Sequence, residues 1–274
     1  MRIKLTIKPK NRNAIIPFNY NYYLSTAIYR WIEKSSPEYS KFLHESGFSL
    51  EGTNRRFKHF CFSNLIIPQR KVINSNLMIL SDRIEWYVGI PIDETLKHFV
   101  IGIFEKQEFY IERKDNIFFI NMVEALPEPE WKSKMKFRMI SPLTISVPEE
   151  RTGKFIPHYL RPDDSRLNDA LRKNIINKFL SLNDKNSHQS DNSIYKERLE
   201  FSCMLDDKFI QDRGGAEKIS KLITIKENQT SESKVRGFMC PITLEGNIEL
   251  IKLAYDSGLG EKGSLGFGMI EQTI

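Results

Sequence analysis

The sequence predicts an α+β protein made of two similar halves. Hydrophobic residues make up 40% of its 274 residues, which is enough for packed cores in two modest domains. Segments in which polar and apolar residues alternate are interspersed with segments whose apolar residues recur at helical spacing. The order of these segments repeats after residues 127–131, where two prolines interrupt regular structure. We therefore expect one domain at residues 1–128 and a second at residues 132–274.

The first half opens with a strand at residues 2–8, in which polar and apolar side chains alternate. A helix at residues 22–33 follows, because its apolar residues fall on one face. Those residues are Leu24, Ala27, Ile28, Trp31 and Ile32. The same periodicities predict a short helix at 37–44, strands at 57–62 and 83–90, a helix at 93–106, and a strand pair at 109–112 and 117–123.

The second half repeats this scheme. Its predicted elements are a strand at 136–147, a helix at 165–182, strands at 199–205, 222–227 and 237–244, a helix at 247–257 and a final strand at 267–272. Each half therefore has roughly the order β-α-β-β-α-β. The prediction is two tandem ferredoxin-like domains.

The composition argues against several classes of protein. No run of about 20 apolar residues is present, so we expect no membrane-spanning helix and no membrane partner. The N-terminus lacks the apolar core of a signal peptide. Cys61, Cys203 and Cys240 are far apart and form no CxxC motif, which argues against a disulfide framework and a zinc site. We expect a cytoplasmic protein.

Positive charge is concentrated in one part of the sequence. The net charge is +6, and residues 131–178 alone contain eleven Lys or Arg against five Asp or Glu. This basic stretch therefore carries the whole excess. Such a stretch is typical of a face that binds phosphates, and a solvated helix and strand is the alternative interpretation.

Residues 258–268, which we call the glycine segment, contain five of the fourteen glycines in the chain. Because glycine allows positive φ and close approach of the backbone, the segment is predicted to present main-chain amides to an anion. Residues 258–263 also match the GxGxxG fingerprint of dinucleotide-binding proteins. That fingerprint needs a strand before it and a helix after it, whereas the predicted order here is the reverse. We therefore expect no nucleotide cofactor.

The triplets at residues 258–260 (Gly-Leu-Gly) and 266–268 (Gly-Phe-Gly) resemble the C-terminal glycine-rich loop of the CRISPR-associated endoribonucleases that cut precursor repeat RNA. Residues 16–24 and 39–44 are similar to the N-terminal signature of that family, and residues 137–142 and 159–163 are similar to its middle segments. The resemblance covers almost the whole chain. It implies two ferredoxin-like domains and a glycine-rich loop that lies against the RNA backbone.

RNA is cut without a metal ion when its 2′-hydroxyl attacks the adjacent phosphate with the help of a base, an acid and a cation. Histidine suits the proton transfers because its ordinary pKa lies near neutrality. His44 points away from the apolar stripe of the helix predicted at 37–44. Tyr29 points about 130° away from the stripe of the preceding helix. The resemblance assigns the catalytic tyrosine and histidine of the family to Tyr29 and His44.

The third catalytic group of the family is a lysine that follows the histidine. Arg55, Arg56 and Lys58 are the candidates here, and the spacing does not choose among them. Each is a candidate for holding the scissile phosphate, and a basic strand edge is the alternative interpretation. His59 is a reserve acid or base.

The remaining histidines have other expected roles. His98 is expected to be structural, His188 to be inert, and His158 either to contact RNA or to be structural. No cluster of His, Asp or Glu has the spacing of metal ligands, so the predicted cleavage needs no metal and no cofactor.

We expect RNA to be bound by the basic stretch and by the glycine segment. The predicted residues are Lys136, Arg138, Lys154, His158, Arg161, Arg172, Lys173, Gly258, Gly260, Lys262, Gly263, Gly266 and Gly268. The partner that the resemblance implies is CRISPR repeat RNA in the precursor of guide RNA. Effector-complex subunits and a second copy of the chain are left open as further partners. The alternative function is a non-catalytic subunit that holds guide RNA in an effector complex.

Overall fold

The computed structural model describes residues 1–50, 53, 55–183, 199–227 and 229–273. Each half of the chain has a main antiparallel sheet, and helices cover one face of each sheet. Within the described residues, no helix has the length and apolar character needed to cross a membrane.

In the first half, the helices come between strands of one main sheet in the order of the sequence. Its elements are strands β1 (Arg2–Pro9) and β2 (Ile15–Pro17), helices α1 (Asn21–Ser35) and α2 (Pro37–Lys41), a π-helical turn (Phe42–Ser46), strands β3 (Phe48–Ser49), β4 (Arg56–Phe57), β5 (Cys61–Phe62), β6 (Arg70–Ile73), β7 (Asn76–Ile79) and β8 (Ile84–Gly89), helix α3 (Asp93–Glu105), and strands β9 (Glu108–Tyr110) and β10 (Ile117–Ala125). The main sheet has the order β5-β8-β1-β10-β9.

The second half repeats this plan. Its elements are strands β11 (Lys134–Met139), β12 (Ser146–Arg151) and β13 (Lys154–Tyr159), helix α4 (Leu167–Asn183), strand β14 (Phe201–Leu205), helices α5 (Asp207–Asp212) and α6 (Ala216–Ile219), strands β15 (Ser220–Ile225), β16 (Ser233–Phe238) and β17 (Ile242–Gly246), helix α7 (Ile248–Ser257), a 3₁₀ turn (Gly263–Leu265) and strand β18 (Ile270–Gln272). The main sheet has the order β14-β17-β11-β18.

The strand orders confirm the predicted α+β, ferredoxin-like fold. In the second half, β11 and β17 are neighbours at the centre, and β14 and β18 flank them. The first half has the same order, with β1 and β8 at the centre, β5 and β10 beside them, and β9 added at one edge. Helices α1 and α3 pack on the first sheet, and α4 and α7 pack on the second. The domain boundary between residues 128 and 132 stays a prediction.

Three predicted strands are divided in the structure. The strand at 57–62 breaks after Phe57, and His59 adopts a positive φ of 48° in the gap. The strands at 136–147 and 237–244 each contain a proline, Pro142 and Pro241, which cannot donate to a sheet ladder. The strand predicted at 136–147 ends at Met139, and a separate strand, β12, begins at Ser146. Strand β12 pairs with β13 in a hairpin that the sequence analysis missed.

The side chain of Arg2 joins the two halves. It is buried in β1, and its guanidinium stacks over the Tyr255 ring with 3.3 Å from Cζ to the ring centroid. It also donates hydrogen bonds to the carbonyl oxygens of Tyr255 and, at 2.5 Å, of Ile270. A buried cation is costly unless it has such partners, so Arg2 fixes the first sheet against α7 and β18.

Candidate active site and nucleic-acid interface

Tyr29 of α1 and His44 of the π-helical turn meet at the surface of the first half. Their ring centroids are 5.4 Å apart and the ring planes are inclined by 80°, which is an edge-to-face contact. His44 is exposed, whereas Tyr29 is half-buried and also contacts the Phe60 ring at 5.6 Å. The structure therefore brings together two residues that the sequence analysis chose from consecutive helices.

The Tyr29 hydroxyl is a neutral group. Burial raises the pKa of Tyr29 above its ordinary value, and a hydrogen bond with the Ser264 side chain offsets part of that rise. Because Ser264 belongs to the glycine segment, this contact links the second half to the site. A phenol in this environment can donate a hydrogen bond to developing negative charge, but it is not a base at neutral pH.

Two cations hold the π-helical turn that carries His44. Lys58 Nζ donates hydrogen bonds to the carbonyl oxygens of Leu43 and, at 2.6 Å, of His44. Arg56 Nη1 donates to the carbonyl oxygen of Glu45 at 2.5 Å. These carbonyls lie at the C-terminal end of a helical segment, where positive charge is stabilising. Burial, together with the charge of Arg56, lowers the pKa of Lys58.

Arg55 is the third candidate cation, and its environment is different. Its side chain is exposed and lines the cleft described next. Its backbone amide donates to Thr53 Oγ1 at 3.3 Å, but its guanidinium forms no ion pair with any described residue. The structure therefore separates Arg55, whose charge faces solvent, from Lys58 and Arg56, whose charges contact the His44 turn.

A cleft of about 530 Å³ lies between residues 55–60 and the second half. Helix α4, the β12–β13 hairpin and the glycine segment form its other walls. The charged side chains that line it are Arg55, Arg56, Lys58, Lys178, Lys262 and Glu261. Phe60 and Ser264, which contact Tyr29, line it as well, so the Tyr29–His44 pair lies at an edge of a strongly cationic cleft.

Lys178 is a buried cation in the cleft wall that the sequence analysis did not single out. Its Nζ donates to the carbonyl oxygen of Gly258 at 2.5 Å, and burial lowers its pKa to about 8. It follows Leu171 and Ile175, both buried, at helical spacing. A lysine on the apolar stripe of α4 was the signal that could have identified it.

His59 is not a reserve acid or base, and that expectation is wrong. It is only 3% exposed, and its ring packs against Phe48 and Phe57 at centroid distances of 5.3 and 5.7 Å. Its Nε2 is 2.8 Å from Ser181 Oγ. Burial, reinforced by the charge of Lys178, lowers the pKa of His59 to about 3, so it stays neutral and enclosed.

The glycine segment folds mainly against the protein itself. Gly258, Gly260, Gly266 and Gly268 are buried, all with positive φ, and a Cβ on any of them would collide with neighbouring protein atoms. Gly258, Gly266 and Gly268 also lie outside the lining of the cleft, so the expectation that these three present an open backbone surface to RNA is wrong. Gly260, Lys262 and Gly263 line the cleft, and their contact with RNA stays a prediction.

The basic stretch does not form one surface. Met135, Phe137 and Met139 of β11 are buried in the core that α4 and α7 share with the sheet. Because side chains alternate along a strand, Lys136 and Arg138 lie on the opposite face of the sheet. The cleft is lined by α4 on the helical side, so these two cations lie on a different surface, and their contact with RNA stays a prediction.

Several other predicted cations have partners within the protein. The contacts are Arg138 with Glu271 at 2.5 Å, Arg161 with Glu217 at 2.6 Å, Lys173 with Asp169 at 2.6 Å, and Arg172 with the carbonyl oxygen of Leu199 at 3.1 Å. Exposed ion pairs are weak, so RNA binding by Arg161, Arg172 and Lys173 stays a prediction. Lys154 lies near the tip of the β12–β13 hairpin, beside Phe155 in the cleft wall.

His158 lies among carboxylates. Its Nδ1 is 3.4 Å from Glu149 and its Nε2 is 4.0 Å from Asp164, so its ring faces two carboxylates of the protein. His98 packs against Tyr39 and its Nδ1 is 2.9 Å from Ser35 Oγ, as a structural histidine would be. His188 lies outside the described residues. Among the described residues, no group of three or more His, Cys, Asp or Glu side chains is arranged to hold a metal ion.

Comparison with known proteins identifies the family. Residues 15–124 match the family model for "CRISPR-associated protein Cas6, N-terminal", and residues 126–272 match "CRISPR associated protein Cas6, C-terminal". The CRISPR-associated endoribonuclease Cas6 1 of Methanocaldococcus jannaschii is 26% identical over 98% of this chain and 92% of its own length. The "Putative CRISPR-associated endoribonuclease-like protein Cas6" of Pyrococcus furiosus is 29% identical over 99% of this chain and 98% of its own length.

A solved structure shares the fold. The protein of a Cas6-related gene from Pyrococcus furiosus superimposes with a TM-score of 0.77 and 28% identity, covering 100% of this chain and 98% of its own. The family models span both halves of the chain and include the glycine segment and the Tyr29–His44 pair. The chain therefore belongs to the Cas6 family of CRISPR-associated proteins.

Proposed function

We propose that this chain is a metal-independent endoribonuclease that binds CRISPR repeat RNA and cuts precursor transcripts within the repeat. Membership of the Cas6 family supports the substrate, and the Methanocaldococcus relative, named an endoribonuclease, supports the reaction class. The observation that carries the proposal is the contact between Tyr29 and His44 at the edge of a cationic cleft.

In the proposed reaction the 2′-hydroxyl oxygen attacks the adjacent phosphorus while the bond from phosphorus to the 5′ oxygen breaks. One proton leaves the 2′-hydroxyl and one joins the 5′ oxygen, so the products are a 2′,3′-cyclic phosphate and a 5′-hydroxyl. His44, an exposed imidazole, carries one of these two proton transfers, and solvent water carries the other. Tyr29, kept neutral by burial, donates a hydrogen bond to a phosphate oxygen as charge develops there.

Arg55 is the cation we assign to the scissile phosphate. Its guanidinium lines the cleft and has no ion pair among the described residues, so it can offer both arms of its fork to phosphate oxygens. Lys262, which is also exposed in the cleft, would hold a neighbouring phosphate.

The test is incubation of the purified chain with its repeat RNA in excess EDTA, followed by analysis of the RNA ends. We expect a single cut in each repeat, a 2′,3′-cyclic phosphate on the upstream product and a 5′-hydroxyl on the downstream product. A 5′-phosphate, or cleavage that returns only when a divalent ion is added, would contradict the mechanism. Tight binding without any cut RNA would favour the alternative, a subunit that holds guide RNA.

A further inference from the structure

We propose that the β12–β13 hairpin binds an unpaired nucleotide of the repeat RNA, and that Phe155 is the platform on which the base of that nucleotide stacks. The proposal rests on the proposed function, because it concerns the RNA that the chain is proposed to cut. The RNA would then be single-stranded where it passes the hairpin. A base inside a duplex already has both faces covered by its neighbours and has no face to offer to Phe155.

Phe155 is unusually exposed for a phenylalanine. It is 74% exposed, more than any other large hydrophobic residue in the described part of the chain. Exposure alone indicates little, because single hydrophobic residues are common on protein surfaces. Phe104 of α3 is 68% exposed and does not line the cleft, whereas Phe155 does. Its position in the cleft is therefore what indicates a ligand.

The hairpin forms an uncharged wall of the cleft. Pro148 and Pro157 are cross-strand partners, and Phe155 comes two residues before Pro157 on β13. Because side chains alternate along a strand, these three rings lie on the same face of the hairpin. None of the hairpin residues that line the cleft is ionisable, and they are Ser146, Pro148, Phe155, Ile156 and Pro157. This wall therefore offers apolar ring surface and no charge.

Positive charge lies on the other walls of the same cleft. Arg55 and Lys262 are both exposed there, and Lys262 belongs to the glycine segment. A nucleotide has the same division, because its phosphate is an anion and its base has two apolar faces. Proteins that bind single strands combine a positively charged groove with aromatic side chains in this way. A strand whose phosphates lie at Arg55 and Lys262 would turn a base toward Phe155.

The hairpin holds the Phe155 ring in place before RNA binds. Its two-residue turn consists of Thr152 and Gly153, with φ of +52° and +74°, as in the type I′ turn that suits the twist of paired strands. At the base of the hairpin, Ser146 Oγ donates a hydrogen bond to Glu261 Oε2 at 2.9 Å, which ties β12 to the glycine segment. A platform fixed in advance loses little conformational freedom on binding.

Equilibrium binding tests the platform. The probe is repeat RNA with 2′-O-methyl groups throughout, which cannot be cut by attack of a 2′-hydroxyl. We expect Phe155→Ala to weaken binding by roughly 5- to 100-fold, Phe155→Leu to weaken it as well, and Phe155→Trp to bind at least as tightly as wild type. The matched control, Phe104→Ala, should bind with wild-type affinity. Because both rings are exposed, none of these changes should lower the free energy of unfolding.

Two outcomes of this measurement would overturn the proposal. Equal affinities of wild type and Phe155→Ala would show that the ring does not contact RNA. Wild-type affinity of Phe155→Leu would show an apolar contact without stacking.

The salt dependence of binding separates a base contact from a phosphate contact. Phe155→Ala should keep the wild-type slope of log affinity against log salt, because no phosphate contact is lost. Arg55→Met should reduce that slope by about 0.7, the value for one phosphate of a single strand. A reduced slope for Phe155→Ala would mean that the variant has disturbed phosphate contacts, and would count against stacking.

A scan with abasic nucleotides tests the base itself. Each probe lacks one base of the repeat and is bound to wild type and to Phe155→Ala. At one position, loss of the base should weaken binding to wild type about as much as Phe155→Ala does, and should not weaken binding to Phe155→Ala further. The absence of any such position would overturn the proposal. Annealing a complementary strand across that position should abolish the difference between the two proteins.

Cleavage of unmodified repeat RNA distinguishes this proposal from the proposed function. Binding that depends on Phe155, in a chain that cuts no RNA, would leave the stacking site standing and remove the nuclease. Cleavage of the repeat by a chain whose affinity is indifferent to Phe155 would leave the nuclease standing and overturn the stacking site.

Discussion

Burial separates the two histidines that lie nearest the cleft. His44 is exposed and contacts Tyr29, whereas His59 is 3% exposed and enclosed by Phe48 and Phe57. Only a histidine that reaches solvent can exchange protons with a bound substrate. His59 instead contributes to the packing between residues 57–60 and Ser181 of α4.

The neutral state of His59 predicts how stability depends on pH. Its pKa is about 3 in the folded protein, against an ordinary value of about 6.5 in the unfolded chain. Between these values the unfolded state binds a proton that the folded state does not. The contribution is therefore complete above pH 6.5 and is lost as pH falls toward 3, by at most about 1.4 kcal/mol per pH unit.

Denaturant unfolding of wild type and His59→Gln at pH 7, 5.5 and 4.5 measures this effect. The free energy of unfolding of wild type should fall relative to that of the variant as the pH is lowered, because glutamine does not titrate. A constant difference between the two proteins would show that folding does not lower the pKa of His59.

Some site residues could be predicted from the sequence and others could not. Helical periodicity placed the side chains of Tyr29 and His44 away from the apolar faces of their helices, and in the structure the two rings are in contact. The hydrogen bonds of Lys58 could not be predicted, because its acceptors are carbonyls about fourteen residues earlier whose geometry depends on an unpredicted π-helical turn. Ser264 contacts Tyr29 only because the two halves dock.

At the scale of structural elements, the glycine segment is a close-packed connection between α7 and β18. Gly258, Gly266 and Gly268 let its backbone pass against Cys61, the Phe62 ring and the Leu259 carbonyl. The number of glycines reflects these internal contacts. The remaining part of the segment, from Gly260 to Ser264, lines the cleft and reaches Tyr29.

Replacing Gly268 by alanine should destabilise the protein much more than replacing Gly153. The two glycines have φ of +72° and +74°, but a Cβ at Gly268 would overlap the Leu259 carbonyl, whereas a Cβ at Gly153 would meet nothing within 4 Å. Gly153→Ala should cost about 1–2 kcal/mol from the left-handed backbone alone. Gly268→Ala should cost clearly more, by about 1–3 kcal/mol, because it also overpacks the core.

The free energies of unfolding of the two alanine variants, measured in denaturant, check this prediction. Equal losses would mean that the close approach in the glycine segment contributes nothing.

The elements that the sequence predicted well are those with a clear buried face. Helix α1 buries its whole predicted stripe, and burial alternates along most of the central strand β8. In the central strand β1, Ile3, Leu5 and Ile7 are buried as expected, but Arg2 and Thr6 are buried as well. The β12–β13 hairpin was missed because most side chains of β13 are exposed, so no alternation marks it. Its pairing is a contact between strands, which periodicity along one strand does not encode.

At the scale of the whole molecule, the candidate site exists only when the two halves are docked. Tyr29 and His44 come from the first half, whereas Ser264, Lys178 and Lys262 come from the second. Arg2 of the first half contacts Tyr255 and Ile270 of the second and so helps to hold the halves together. RNA in the cleft would lie on the helical side, away from Lys136 and Arg138 on the open sheet face.

The most direct test of the account is the single-turnover rate of repeat-RNA cleavage in excess EDTA by wild type, His44→Ala and His98→Gln. His44→Ala should cut at least about 10²-fold more slowly while binding RNA with nearly the wild-type affinity. His98→Gln, which removes a histidine that contacts Ser35 and Tyr39 away from the cleft, should cut at nearly the wild-type rate. An undiminished rate for His44→Ala would contradict the central claim that His44 carries the proton transfer.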